Sequence, residues 1–398
     1  MKRWPIVTLE EVSDGIVDGP FGSNLKLSDY VETGVPVLQG KNITGNEFQW
    51  FDVRYISRTK AEELKRSEVR VGDHLLIKIG SIGYSAIIDS LQGFDFAIIP
   101  ANLARIRPET SKINSAFLHY VLTSPQICEA FKSRTSQTAQ PALSLRTIKA
   151  MQIPLPPLPE QERVVKLLDE ADELRKLRAQ SDRRAATLIP ALFREMFGDP
   201  GTNPKGWPSG SLKDFGAEIR YGLGQPPEED PEGVPILRAT NVKRGYISEV
   251  GLIRVRRDAV PVSRNAFLNA DDVLVVRSGA YTGDIARVGE KWAGSVAGYD
   301  LVVSPKERFA GDFIAWFLLS DFVQDRYFNG LKLRAAQPHL NSTQVSETPF
   351  LCPPFALQKE FAARVTEIRA MQTEQSAGRK RLDDLFQSML HRAFEGEL

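Results

Sequence analysis

Two kinds of hydrophobic patterning follow each other along the chain, and the pair occurs twice. Short aliphatic runs bounded by Gly, Asp or Asn come first. Val35-Pro36-Val37-Leu38 and Leu75-Leu76-Ile77-Lys78-Ile79 predict buried strands, and Val273-Leu274-Val275-Val276 repeats the second of them. Asn114 to Ser124 and Asp312 to Ser320 fill helical faces with apolar residues and contain no Gly or Pro, so they predict helices. Together these elements describe a mixed α/β globule. After the proline-rich Pro154 to Pro159 the pattern changes. Glu160 to Phe197 holds one Pro and no Gly and is rich in Leu, Ala, Glu and Arg, and a second such stretch runs from about Leu357 to Phe394 with Gly378 as its one weak point. Each predicts a long helix of about 57 Å at ~1.5 Å per residue, with prolines ahead of it that suit a sharp start.

The apolar positions of the second helix step by alternating four and three: Phe361, Val365, Ile368, then the polar Gln372, Gln375 and Arg379, then Leu382, Phe386, Met389 and Ala393. That is a heptad seam with a polar middle. The first helix offers Val164, Leu168 and Ala171, then Arg175 and Arg178, then Ile189, Phe193 and Met196. Two long helices with matching seams pair most simply with each other, antiparallel if the halves are symmetric.

The halves are indeed copies. GVPVLQGKNI from Gly34 returns as GVPILRATNV from Gly233, at an offset of 199, and Asp73 of VGDHLLIKIGSIG matches Asp272 of ADDVLVVRSGAYTG at the same offset. AQPALSLRTI from Ala139 matches AQPHLNSTQV from Ala336, and Pro156-Pro157 with Gln161 matches Pro353-Pro354 with Gln358, both at 197. Trp4-Pro5 is echoed by Trp207-Pro208. A unit of about 200 residues is too long for a solenoid repeat and marks a duplicated domain. Late in the helices the offset falls to 193, Leu192-Phe193 against Leu385-Phe386, so the first helix carries four extra residues. A four-residue insertion is a stutter that unwinds a supercoil locally, and Pro190 adds a kink or break nearby. The organisation expected is a domain over 1–157, a central helix over 158–198, a second domain over 199–355 and a C-terminal helix over 356–398.

Composition narrows the function. The formal charge of +1 advertises no large single-sign field. Two cysteines and four histidines leave little for zinc sites or disulfides, and fit a reducing cytoplasm. No apolar run reaches the roughly 18 residues of a membrane helix, and Trp4-Pro5 with Glu10-Glu11 leaves no signal-peptide core.

At this point the chain resembles the specificity subunit of a type I restriction–modification system over nearly its whole length. The resemblance rests on DGPFGSNLK (Asp18 to Lys26), the turn Gly80-Ser81-Ile82-Gly83, the junction IPLPPLPEQERVVKLLDE (Ile153 to Glu170), LFREMFGD (Leu192 to Asp199), NPKGWP (Asn203 to Pro208) and the closing LFQSMLHRAFEGEL. The second copy departs from it: its turn, Gly279-Ala280-Tyr281-Thr282-Gly283, is one residue longer, and its junction carries Leu351-Cys352 and Ala356-Leu357-Gln358. The resemblance implies two target-recognition domains separated by an antiparallel coiled coil, each domain reading half of a bipartite double-stranded DNA sequence. It implies two docked adenine-methyltransferase subunits, restriction–translocation subunits that can join them, and no cofactor on this chain, the S-adenosylmethionine sitting on the methyltransferase subunits. A rod of about 57 Å covers roughly 17 base-pair steps at ~3.4 Å.

Base readout calls for Arg or Lys toward guanine and Asn or Gln toward adenine. The first repeat offers Gln39, Lys41 and Asn42 after a strand, Lys78 and Ser81 at the Gly turn, and Gln137, Thr138 and Gln140 in a polar loop. The second offers Arg220, Tyr221, Arg238, Asn241, Arg277, Tyr281, Arg334, Gln337, His339 and Asn341. The near-zero charge speaks against a chain that grips a long duplex alone, and is accommodated if partner subunits hold much of the phosphate backbone. Basic clusters at Arg175-Lys176 with Arg178, Arg183-Arg184 and Arg379-Lys380-Arg381 suit a solvated helix face as well as a contact.

Signs of catalysis are weak. Cys352-Pro353-Pro354-Phe355 lacks the leading amide or carboxylate of an adenine-methyltransferase motif, and its copy is Leu155-Pro156-Pro157-Leu158. Gly222-Leu223-Gly224 and Glu63-Leu64-Lys65 lack the flanking residues of a nucleotide loop or a nuclease. The rival reading is a coiled-coil scaffold that never touches DNA, which the neutral charge suits and the elaborate domains do not.

Overall fold

The computed structural model describes residues 4–20, 24–135, 141–306, 308–332 and 339–398. The chain is mixed α/β and divides into two compact units, Met1–Arg178 with Gly378–Leu398, and Ala179–Ala377. The division falls inside both long helices, so each unit owns one globular domain and a piece of each helix.

The first unit is built on a four-stranded antiparallel sheet in the order Ser85–Ile87, His74–Ile77, Leu103–Pro108, Ser13–Asp18. His74–Ile77 is buried throughout, which is why this run is not an alternating one. A second sheet runs Tyr30–Val31, Arg54–Ile56, Val35–Val37, Ala97–Ile98, Glu68–Val69, with Val37 and Ile98 paired in parallel. The second unit repeats the plan. Its four strands are Ile285–Arg287, Val273–Val275, Leu301–Ser304 and Glu218–Tyr221 in the same order, and its second sheet pairs Ile236 with Val296 in parallel. In each unit a short hairpin (Ile43–Thr44 with Glu47–Phe48; Val242–Lys243 with Tyr246–Ile247) leaves the strand that carries the repeated GVP motif.

The sequence names the repeated anchors. Gln161 and Gln358 are fully buried. Gln161 donates to the carbonyls of Lys112 and Pro156 and accepts from the Asn114 amide at 2.7 Å; Gln358 donates to Arg308 and Pro353 and accepts from Ala310 at 3.2 Å. One buried amide thus satisfies three backbone groups at the start of each long helix, which fixes how that helix leaves its domain. The Trp-Pro pairs close the other end. Trp207 Nε1 donates to Phe197 O, Trp4 Nε1 donates to Ala393 O, and the carbonyls of Pro208 and Pro5 accept from Cys352 and Leu155.

Within each unit the helix pieces lie against both the domain and one another. Val164, Leu168, Phe386, Leu390 and Ala393 join the core of the first unit; Ile189, Phe193, Met196, Phe197, Phe361 and Val365 join that of the second. The pairing is antiparallel: Arg175 Nε reaches Asp383 at 2.8 Å in the first unit, and Gln372 Nε2 donates to Ala185 O at 2.8 Å in the second. The central helix breaks as its stutter and proline predict, running Leu158–Ala186 and resuming as Leu188–Phe197. Pro190 stands in the first turn of the resumed helix, where no intrahelical donor is lost. The C-terminal helix is continuous over Phe355–Glu395.

Gly378 sits inside that continuous helix because Arg178 occupies its side: a Cβ there would lie 3.2 Å from Arg178 Nη2. The obstacle is the far end of a flexible side chain, whereas glycine in a helix costs ~0.5–1 kcal/mol against alanine. Gly378→Ala is therefore expected to stabilise the protein by about 0.5 kcal/mol, measured as a rise in denaturant midpoint; a fall would mean that Arg178 is held too tightly to move.

Candidate nucleic-acid interface

In each unit the strand of the central sheet that carries Leu75 or Leu274 runs out into a glycine turn, and the segment after the polar AQP loop lies beside it. Ile79 pairs with Ala142 and Leu143 N donates to Lys78 O; Ser278 pairs with His339 and Leu340 N donates to Arg277 O. Lys78 in the first unit, and Arg277 with His339 in the second, therefore lie where the returning segment meets the glycine turn. Gln137, Thr138, Gln140, Arg334 and Gln337 lie outside the described residues.

Several candidates are engaged internally. Asn42 and Asn241 are fully buried. Asn42 Oδ1 accepts from the Gln39 amide while its Nδ2 donates to Gln49 O and Phe51 O; Asn241 does the same with Arg238 N, Ser248 O and Val250 O. Both amides hold a turn and face no solvent. Asn341 caps the helix Ser342–Ser346 through the Gln344 amide. Arg220 lies along the sheet with Nη2 on Asp272 at 2.8 Å and Nε on Asn265 O. Asp272 is the copy of Asp73, which the first unit satisfies with Arg107 through two 2.7 Å bonds. Lys41 is exposed and paired with Asp52. Ser81 is exposed at its turn, Gln39 is half-buried before its own, and Arg238, also half-buried, donates to Gly251 O.

One position where the repeats differ is the strand end. Lys78 is buried and its ammonium meets Asp18 at 2.7 Å. Its copy Arg277 has no carboxylate within ion-pair distance among the described residues. Instead its guanidinium lies 3.7 Å from the ring centroid of Tyr299 and 4.8 Å from that of Tyr221. Both rings keep large exposed areas, 49% for Tyr299 and 39% for Tyr221. Two glycines allow this arrangement: a Cβ on Gly222 would lie 1.9 Å from Gly298 O, so the strands behind the two tyrosines touch backbone to backbone. Hydrogen bonds from Ser342 hold the Tyr221 hydroxyl below its usual pKa, with the Arg277 charge adding to the effect. Beneath the arginine, Asp300 is 2% exposed; its Oδ1 accepts from the Arg277 amide and burial raises its pKa to about 6. Further along the turn Lys243 Nζ stands 4.3 Å over the ring of Tyr281, 44% exposed. His339 is half-buried beside Ser278.

Tyr299 and Lys243 are absent from the sequence candidates. The signal was available for Tyr299, an aromatic in Gly298-Tyr299-Asp300 where the first repeat has Ala101-Asn102. Lys243 offers no such mark. Exposed aromatic faces interleaved with cations, on an edge where backbone approaches closely, suit stacking and edge contacts with bases. Among the described residues no group of three or more His, Cys, Asp or Glu could hold a metal ion, and no helix is long and apolar enough to cross a membrane.

Comparison with known proteins agrees with this architecture. Residues 1–182 match the type I restriction modification DNA specificity domain. The EcoKI specificity subunit of Escherichia coli (strain K12) is 23% identical over all of this chain and 89% of its own length. The EcoBI specificity subunit of Escherichia coli is 27% identical over 42% of this chain, a match that spans 36% of that protein. Among solved structures, a chain described under complex assembly and conformational transition of the type I R-M system superposes with a TM-score of 0.64 at 18% identity, over 100% of this chain and 98% of that one. The type I S subunit from M. genitalium gives 0.56 at 14% identity, over 98% and 96%. The fold is a duplicated α/β domain carried on long helices. The chain is similar along its whole length to type I restriction–modification specificity subunits, and its first 182 residues match their DNA specificity domain.

Proposed function

We propose that this chain is the non-catalytic DNA-recognition subunit of a cytoplasmic type I restriction–modification complex. Each unit reads one half of a bipartite duplex target, and the paired helices hold the two domains in register and dock two adenine-methyltransferase subunits. The carrying observation is one scaffold presented twice with different side chains on its exposed edge. Asp73 and Asp272, Asn42 and Asn241, and Gln161 and Gln358 are kept and buried, whereas the largely buried pair Lys78 and Asp18 of the first unit is replaced in the second by Arg277 and the half-exposed Tyr221. A protein that reads two unlike half-sites needs that combination.

Methyl transfer, with its S-adenosylmethionine, belongs in this reading to the partner subunits, and restriction–translocation subunits join through the same assembly. With a formal charge of +1, much of the phosphate grip is theirs as well. A coiled-coil scaffold without DNA contact would leave the exposed tyrosine and arginine edge unexplained.

The test is base-resolution mapping of N6-methyladenine in the source genome with and without this gene. Loss of methylation at one interrupted, two-part motif is expected. An unchanged pattern, with the methyltransferase subunit shown to be active, would sink the proposal in favour of the scaffold.

A further inference from the structure

We infer that Arg277 reads a guanine in the half-site of the second unit, and that Asp18 withholds the corresponding cation, Lys78, from base reading in the first. The inference rests on the DNA-recognition function proposed above and assigns a base to one position of it.

The two residues stand at the same place in the repeat, at the end of the same strand, before the same glycine turn and beside the same returning segment. What differs is the partner on the edge strand. Asp18 follows Val17 at the end of Ser13–Asp18 and is succeeded by Gly19; Tyr221 ends Glu218–Tyr221 and is succeeded by Gly222. Each glycine sits where a Cβ would strike backbone, 2.2 Å from Pro100 for Gly19 and 1.9 Å from Gly298 for Gly222, so the geometry behind the position is shared. In the first unit this geometry brings a carboxylate onto the lysine, and Arg66 approaches that carboxylate from its other side at 3.6 Å. In the second it brings one ring toward the guanidinium from Tyr221 and another from Tyr299, with no carboxylate within ion-pair distance among the described residues.

The difference has a chemical meaning. A ring over a guanidinium engages its π face; Arg277 Nε is buried without a hydrogen-bond partner, so the donors left for a base are the two terminal nitrogens. Those donors, in a fixed fork, match the O6 and N7 acceptors that guanine presents in the major groove. Aromatic contact also restricts the side chain's rotamers before DNA arrives, so less ordering is left to bind. A carboxylate competes for the same donors and pulls the charge out of the groove. The single exchange of Asp18 for Tyr221 therefore sets one cation closed and its copy open.

The experiment uses the full chain co-produced with its methyltransferase subunit in a host lacking both, with methylated sites mapped at base resolution for the unmodified chain, Arg277→Ala and Arg277→Lys. The unmodified chain is expected to require a guanine at one position of one half-site. Arg277→Ala should relax that position alone, lowering discrimination about 10- to 100-fold, with the other half-site unchanged. Arg277→Lys should keep the fold and the charge, lose bidentate contact and fall between. Arg277→Ala with every guanine requirement intact would overturn the inference while leaving the proposed function standing. So would a uniform loss at both half-sites with a shallower salt dependence, the mark of a phosphate contact. No methylated motif with the unmodified chain and an active methyltransferase would overturn both.

Discussion

Asp312→Ala is expected to lower the stability of the second unit by about 3 kcal/mol, within the usual cost of breaking a buried ion pair. Its carboxylate, 2% exposed, lies 2.7 Å from Arg369 Nη1 and 3.6 Å from Arg287 Nη1. The first of these is a charge contact without an aligned hydrogen bond on Oδ1. Burial pushes the Asp312 pKa up and the two arginines pull against it, so the carboxylate is tolerated only because both cations are there. Three elements meet at this point: the strand Ile285–Arg287, the helix Gly311–Leu318, and the C-terminal helix through Arg369, whose Nη2 also donates to Gly245 O at the hairpin turn. Alanine would leave Arg369 with one backbone acceptor and free the domain to shift on the helix. For a unit of this size, ~3 kcal/mol corresponds to a fall of roughly 6–12 °C in melting temperature, read by calorimetry. Asp321→Ala is the control, because its pair with Arg194 is exposed on both sides and such pairs contribute little. Equal effects from the two substitutions would show that the buried triad carries no special share.

The repeat makes much of this architecture legible from the residues alone. The duplication, the long helices, the interrupted central helix and the Trp-Pro and Pro-Pro-Gln anchors are legible in the sequence, whereas the strand order is not. Which polar residues face DNA is far less legible, because a turn and a base ask for the same side chains. Asn42 and Asn241 look like adenine readers after a strand, yet each spends its amide on three backbone groups. Their identity in both repeats was the clue: a residue kept in two domains whose exposed loops differ is one that holds the scaffold. The differing pair, Lys78 and Arg277, carries the opposite message. What no local pattern could supply is the partner. Asp18 lies 60 residues before Lys78 and Tyr299 22 residues after Arg277, and only sheet pairing brings them together. Arg220 is the same case, a candidate reader turned inward by a buried aspartate 52 residues away.

Asp300→Asn is expected to stabilise the second unit at neutral pH and to abolish a pH dependence that the unmodified chain shows. The carboxyl is buried beneath Arg277, its Oδ2 has no hydrogen-bond partner, and its pKa is raised to about 6 from the ordinary 3.8. An acid whose pKa is higher folded than unfolded binds its proton more tightly in the native state. Stability is then greatest below the unfolded pKa, falls as pH rises from about 4 to 6, and stays lowered above that. A rise of that size corresponds to roughly 3 kcal/mol. Asparagine keeps an oxygen to accept the Arg277 amide and carries no charge at any pH, so it removes the penalty and leaves the backbone bond. Melting temperatures of both proteins from about pH 4.5 to 8 make the comparison: the gap should open with pH in favour of Asn and close in acid. Parallel curves would mean that water or the guanidinium already satisfies the carboxylate.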